Sequence, residues 1–273
     1  GAITVRQVMA HTAGVPQVPD SLGVAEMCDL DGACRAVADL APLWEPGAQT
    51  GYHAFTYGWI LGKVAQQVDG RPFTQIVRDE ICRPLGTESL FVGIPDEVEA
   101  RVASLESGPP LEGAPVPPEE DPIWRAIPPR VQPLSDWANR PDVRRGVLPA
   151  ANGIMNARAL ARHYASLIGS VDGRRLLTAR RVRVATTIPA VGPGRVADPG
   201  ARWALGYWIG AGEPSAFGSR ATAFGHGGAG GNVGLADPEH GFAFALAMTR
   251  MVDAAPGEDA AYLVARETRE ALG

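Results

Sequence analysis

The sequence predicts an α+β fold in which helices come first, an antiparallel sheet follows, and one C-terminal helix covers the sheet. Three observations support this. Tyr57, Ile60, Leu61, Val64, Ala65 and Val68 recur at helical spacing. Four apolar segments, 203–209, 222–226, 232–236 and 242–249, lie close together in the last third, separated by Gly-rich or Asp-Pro turns. Beyond them, Pro256 opens a terminal helix with Ala261, Val264, Ala265, Thr268 and Leu272 on its packed side.

The elements follow in order. Thr4 caps a short helix over 3–10 that stops at His11-Thr12-Ala13-Gly14-Val15-Pro16. Residues 22–40 carry loose helical periodicity, and Trp44-Glu45-Pro46-Gly47 is a turn. Gly70 closes the strongly periodic helix, and Pro72 opens the next, which places Phe73, Ile76, Val77 and Ile81 inward and ends at Pro84-Leu85-Gly86. Residues 108–133 hold nine prolines, which predicts a long surface loop or flap. Asn156 caps a helix over 157–168 that packs through Leu160, Ala161, Tyr164 and Leu167, and another covers 178–185. Residues 237–241 connect the last two strands as a hairpin. The 273 residues read as one domain. Residues 1 to about 190 form its helical lobe, and about 200–273 its sheet and terminal helix.

Composition narrows the function. A net charge of −5 and a pI near 5.6 argue against a nucleic-acid partner. No apolar run reaches the length of a membrane span, so no membrane partner is expected. Cys28, Cys34 and Cys82 fit ordinary thiols in a reducing, cytoplasmic compartment, although the chain opens with Gly1 rather than Met. No His, Cys, Asp or Glu cluster has metal-ligand spacing, so no metal and no cofactor are expected. The chain also lacks G-x-S-x-G and G-x-x-x-x-G-K-[ST].

Single residues have ordinary readings. A lone tyrosine such as Tyr52 is usually a half-buried core residue. His11, His163 and His240 read as surface or hydrogen-bonded histidines, and His53 as pointing away from Tyr52. The stretch Phe224-Gly225-His226-Gly227-Gly228-Ala229-Gly230-Gly231-Asn232 is either a loose hairpin end or a place where backbone N–H groups reach a ligand.

Taken together, several motifs resemble the serine beta-lactamase-related family of class C beta-lactamases, D-alanyl-D-alanine peptidases and esterases. Residues 3–16, ITVRQVMAHTAGVP, are similar to that family's ITVRQLLTHTSGLP signature. Trp44-Glu45-Pro46-Gly47 and Tyr52-His53-Ala54 resemble its W-x-P-G and Y-x-N region, Pro84-Leu85-Gly86 its helix end, and His226-Gly227-Gly228 its K-T-G or H-x-G strand. The resemblance implies a beta-lactamase/transpeptidase-like fold lacking its N-terminal part, and a small ester or amide as substrate. It implies that Tyr52 is a general base or proton relay, with a nearby cation favouring its phenolate. It makes His226 a cationic or proton-exchanging partner, places Gly227 and Gly228 against substrate, and makes Ala229, as a strand residue, one N–H arm of an oxyanion hole.

Two departures stand out. Ala54 replaces the asparagine of many relatives, and the family's S-x-x-K nucleophile motif is absent, since the only lysine, Lys63, follows Ile60 by three residues. The leading expectation is therefore a serine hydrolase whose nucleophile lies upstream of this chain, closer to the esterases than to the antibiotic-resistance enzymes. Alternatives are a non-catalytic binding module that keeps the pocket, and a complementing piece that associates with a separate N-terminal chain; the partners expected are the small ester or amide and the protein's own missing N-terminal segment.

Overall fold

Thr4 starts the first helix, α1 (Val5–Met9), through a reciprocal cap: its hydroxyl accepts from the Gln7 N–H at 3.3 Å, and the Gln7 side chain accepts from the Thr4 N–H at 2.8 Å. A computed structural model describes residues 3–109, 123–187, 202–210, 214–252, 254 and 257–272. The loosely periodic stretch divides into α2 (Val24–Met27) and α3 (Leu30–Ala38), the second capped by the Asp29 carboxylate. The strongly periodic helix is α4 (Thr56–Asp69), closed by Gly70 at φ 87°. Its Trp59 is buried, but Val68, expected on the packed face, is 85% exposed. Residues 67–70 are all exposed, so the last turn of α4 runs past its packing partners. After Pro72 comes α5 (Phe73–Val77), which continues into one π-helical turn at Arg78–Cys82.

The end of the proline-rich run departs from the surface loop or flap expected over 108–133. A short strand, β1 (Leu90–Val92), precedes β2 (Glu106–Ser107). Residues 110–122, half of the proline-rich run, lie outside the described residues. Its end, however, forms α6 (Ile123–Ala126) and a 3₁₀ turn at Pro129–Val131, and both Ala126 and Val131 are fully buried. Pro128 and Pro129 stand where no helical N–H is needed, so the prolines shape a buried connection instead of excluding one. Two more helices, α7 (Leu134–Asn139) and α8 (Pro141–Arg145), complete a core of Met27, Leu30, Phe55, Trp59, Val131, Trp137 and Val143. Antiparallel pairing of β1 with β3 (Gly153–Met155) closes this lobe.

Asn156 caps α9 (Ala157–Ile168) as the sequence predicts, its side-chain oxygen accepting from the Ala159 N–H at 2.8 Å, and Thr178 caps α10 (Ala179–Thr186). The helical lobe expected up to about residue 190 would include both helices, but they pack on the sheet. Tyr164, Leu167 and Val182 bury against Ile209, Phe224 and Ala236.

That sheet is antiparallel and runs β4 (Trp208–Ile209), β5 (Phe224–Gly228), β6 (Asn232–Asp237), β7 (Phe242–Leu246). The strand expected over 203–209 is shorter, because Gly206 at φ 90° turns the chain and folds Trp203 back onto Trp208. Past β7, β8 (Arg250–Met251) pairs in parallel with β2. Pro256, expected to open the terminal helix, lies outside the described residues, and that helix, α11, spans Ala260–Leu272. Ala261 and Ala265 of α11 pack on Val233, Leu235 and Phe242, covering the face of the sheet opposite α9. Val264 and Leu272, expected to be packed, are 45% and 60% exposed, because the buried stripe runs through Ala261, Tyr262 and Ala265 instead.

Close approach of α9 needs a glycine at position 234, where a Cβ would lie 2.4 Å from the Tyr164 ring and 2.9 Å from Leu160. Gly234→Ala should therefore destabilise the protein by about 1–3 kcal/mol, read as a fall of several degrees in Tm. An unchanged Tm would contradict this packing.

Candidate active site

Tyr52 sits in the loop before α4, and its two flanking residues are tied to the segment after α1. The Gly51 N–H donates to the His11 carbonyl at 2.9 Å, and the His53 N–H donates to His11 Nδ1 at 3.2 Å. His53 points away from Tyr52 into the core and is fully buried. Its Nε2 accepts from the Val15 N–H at 3.1 Å, so its Nδ1 carries the proton, which it donates to the Gly51 carbonyl at 2.5 Å. Both ring nitrogens are thus used by a neutral imidazole, and burial lowers its pKa to about 4. His11, expected at the surface or hydrogen-bonded, is the second of these: it is 3% exposed, and its Nδ1 accepts the His53 N–H. Burial, with the His53 and His226 charges adding to it, holds its pKa well below the usual histidine range.

The facing wall is β5. The His226 ring stacks on Trp208 at 4.6 Å and lies 5.8 Å from Trp203 and 6.1 Å from Tyr52. Trp203 in turn stacks on Tyr52 at 5.4 Å. His226 Nδ1 lies 2.5 Å from the Gly227 carbonyl and donates to it, which leaves Nε2 as an acceptor in the neutral ring. Burial lowers the His226 pKa, with the Gly227 carbonyl opposing the shift. Gly227 lies against Trp208, and a Cβ there would sit 3.0 Å from the indole, a tight contact. Ala229 is not a strand residue as expected. It opens a 3₁₀ turn, Ala229–Gly231, in which Gly230 takes φ 73°, and this turn ends β5 and bends the chain toward β6.

Tyr52, His226, Gly227, Gly228 and Ala229 all line one cleft of about 730 Å³, together with Ala54, Phe55, Trp137 and Asn232. The expected cation beside Tyr52 is not among the rings that surround it, His11, Trp203 and His226. Burial instead raises the phenol's pKa, so Tyr52 is a neutral phenol at pH 7. Lys63 is paired with Asp31 at 2.8 Å. His163 is half-buried, with desolvation lowering its pKa to about 4, and His240 bonds the buried Asp237 carboxylate at 2.6 Å. Among the described residues, no His, Cys, Asp and Glu side chains gather as a metal site, and no helix is long and apolar enough to cross a membrane. Sequence reasoning does not single out His11, Trp203 or Trp208 as parts of the site; the only signal for the first is its place in the HTAG stretch.

The chain belongs to the beta-lactamase family, whose model, described as Beta-lactamase, matches residues 1–269. It is 31% identical to Esterase/beta-lactamase LipL of Mycobacterium tuberculosis (strain ATCC 25618 / H37Rv) over 92% of this chain and 59% of that protein, so it spans about three fifths of that relative's length. Among solved structures it is similar to a penicillin-binding protein homolog from Caulobacter crescentus, with 34% identity, a TM-score of 0.83, and coverage of 100% of this chain and 72% of the other. It is also similar to a family VIII carboxylesterase, with 27% identity, a TM-score of 0.87, and coverage of 99% and 71%.

The buried His53 makes stability depend on pH. Its folded pKa lies below the unfolded value near 6.5, so its stabilising contribution is complete above pH 6.5 and is lost as pH falls through 4. The loss should reach about 3 kcal/mol across that window. Urea unfolding should show a lower midpoint at pH 4.5 than at pH 7.5, and the His53 ring resonances should not titrate near pH 6.5. A His53 that titrates in the ordinary range would contradict the assignment.

Proposed function

We propose that this chain supplies the proton-transfer and oxyanion side of a serine hydrolase that acts on a small ester or amide through an acyl-enzyme. The observation that carries the reading is the approach of Tyr52 and His226 to 6.1 Å across one cleft, beside the glycine-flanked turn at Ala229. The serine and lysine of an S-x-x-K motif belong, in this reading, to a segment outside these 273 residues. In this reading Tyr52 accepts a proton only as its phenolate, and a lysine ammonium about 4 Å from its oxygen would favour that form by roughly 4 kcal/mol, about three pKa units, against the rise caused by burial.

In the reaction, the serine oxygen attacks the carbonyl carbon and the hydroxyl proton passes to Tyr52. The carbonyl oxygen gains negative charge, which the Ala229 N–H stabilises. Tyr52 then delivers the proton to the leaving group as the bond to it breaks. Water repeats the sequence on the acyl-enzyme and releases the acid. His226, neutral and with Nε2 as acceptor, orients the polar end of the site. Ala54 offers a methyl group where many relatives have a carboxamide, so an amide substrate loses a hydrogen-bonding partner that an ester does not need.

The test compares this chain with the protein extended by its upstream coding sequence, using p-nitrophenyl butyrate and a chromogenic cephalosporin. The chain alone should turn over neither. The extended protein should hydrolyse the ester faster than the cephalosporin, and Tyr52→Phe should lower its kcat by about 10²- to 10⁴-fold with little change in KM. Ester turnover by the chain alone that resists a serine-reactive fluorophosphonate, or an extended protein indifferent to Tyr52→Phe, would overturn the proposal.

A further inference from the structure

We propose that His11 is the positioning residue for Tyr52, holding it by the N–H groups of both flanking residues and by the packing of its own ring. The inference rests on the reading of Tyr52 as the proton-transfer group. Three observations carry it. First, one residue receives both N–H groups that bracket Tyr52: the His11 carbonyl takes the Gly51 N–H at 2.9 Å and its Nδ1 takes the His53 N–H at 3.2 Å. The backbone of Tyr52 cannot shift along the chain without breaking one of these bonds.

Second, the His11 imidazole fills the space behind the phenol. It stacks on Tyr57 at 4.6 Å and 19°, and lies 4.4 Å from Trp203 and 5.5 Å from Tyr52. Tyr52 is thereby held between His11 and Trp203, with its remaining open side toward His226 and the cleft. Third, His11 adopts φ 56°, the left-handed region, although it is neither glycine nor at the surface. Such a backbone persists only where the surroundings over-determine it. It turns the residue so that its carbonyl and its ring reach the same loop.

The grip needs a particular protonation state. Nδ1 must be unprotonated to accept from the His53 N–H, so the ring proton resides on Nε2. The titratable groups that face it are Tyr52, His53, Tyr57 and His226.

Three variants of the extended protein test the idea. Gly accepts the left-handed backbone but has no ring and no acceptor, so His11→Gly should fold and yet lose about 10²-fold in kcat, with KM changed less than about threefold. Asn tolerates the same backbone, and its amide oxygen can take the His53 N–H, so His11→Asn should recover at least about tenfold of that loss. His11→Ala should fall below both in Tm. Wild-type kcat in His11→Gly, equal impairment of His11→Gly and His11→Asn, or a loss carried by KM would overturn the proposal. If the extended wild-type protein lacks activity, the proposed function fails first. The grip is then read on the chain itself by nitrogen-15 NMR, which should show His11 with Nε2 protonated and Nδ1 a hydrogen-bonded acceptor. The opposite tautomer, or a ring that titrates in the ordinary histidine range, would overturn it.

Discussion

The buried His53 imidazole, bridging the Val15 N–H and the Gly51 carbonyl, is the constraint on which the cleft depends. Removing either bond would strand a buried polar backbone group, at about 1–3 kcal/mol each. Around this bridge, residues 9–15 accept three further bonds from two other parts of the chain. The Gly47 N–H donates to the Thr12 carbonyl, the Leu43 N–H to the Gly14 carbonyl, and the Gly206 N–H to the Met9 carbonyl. Gly14 itself is required, because it sits at φ +82° and a Cβ there would lie 2.5 Å from the Trp44 carbonyl oxygen. One short segment therefore ties the Trp44 turn, the Tyr52 loop and the Trp203 turn into a single wall.

The facing wall is rigid for a different reason. β5 lies inside the sheet between β4 and β6, with Gly225 so close to β6 that a Cβ would fall 2.2 Å from the Gly234 carbonyl oxygen. Tyr164 of α9 presses on one face of this pair, and α11 covers the other. The buried Asp237 carboxylate fixes the hairpin end by accepting from the Glu239 and His240 N–H groups and the His240 ring. Arg269 of α11 lies 3.9 Å from the same carboxylate and also bonds the Ala216 carbonyl. Two well-packed bodies thus bring Tyr52 and His226, far apart in sequence, to the same cleft.

Local signals are legible in the sequence. The Thr4 and Asn156 caps, the Gly70 stop, the α4 periodicity and the order of the last three strands each depend on residues a few positions apart. The family motifs also lead to Tyr52, His226 and the glycines after it, which do share a cleft. What the sequence does not disclose depends on long-range packing. Nothing in the run of prolines shows that Val131 fills a core with Trp59 and Trp137. The amphipathic pattern of α9 shows that it packs, but not on which body. His11 reads as an ordinary histidine until the loop 42 positions away donates its N–H to the ring.

The most direct measurement is a crystal structure of the extended protein carrying a covalently bound fluorophosphonate. The expected result is the phosphonyl oxygen on the Ala229 N–H, the Tyr52 oxygen within hydrogen-bonding distance of the modified serine, and the His53 ring still between Val15 and Gly51. An adduct outside the cleft, or one in the cleft with Tyr52 turned away from it, would contradict this assembly of the site.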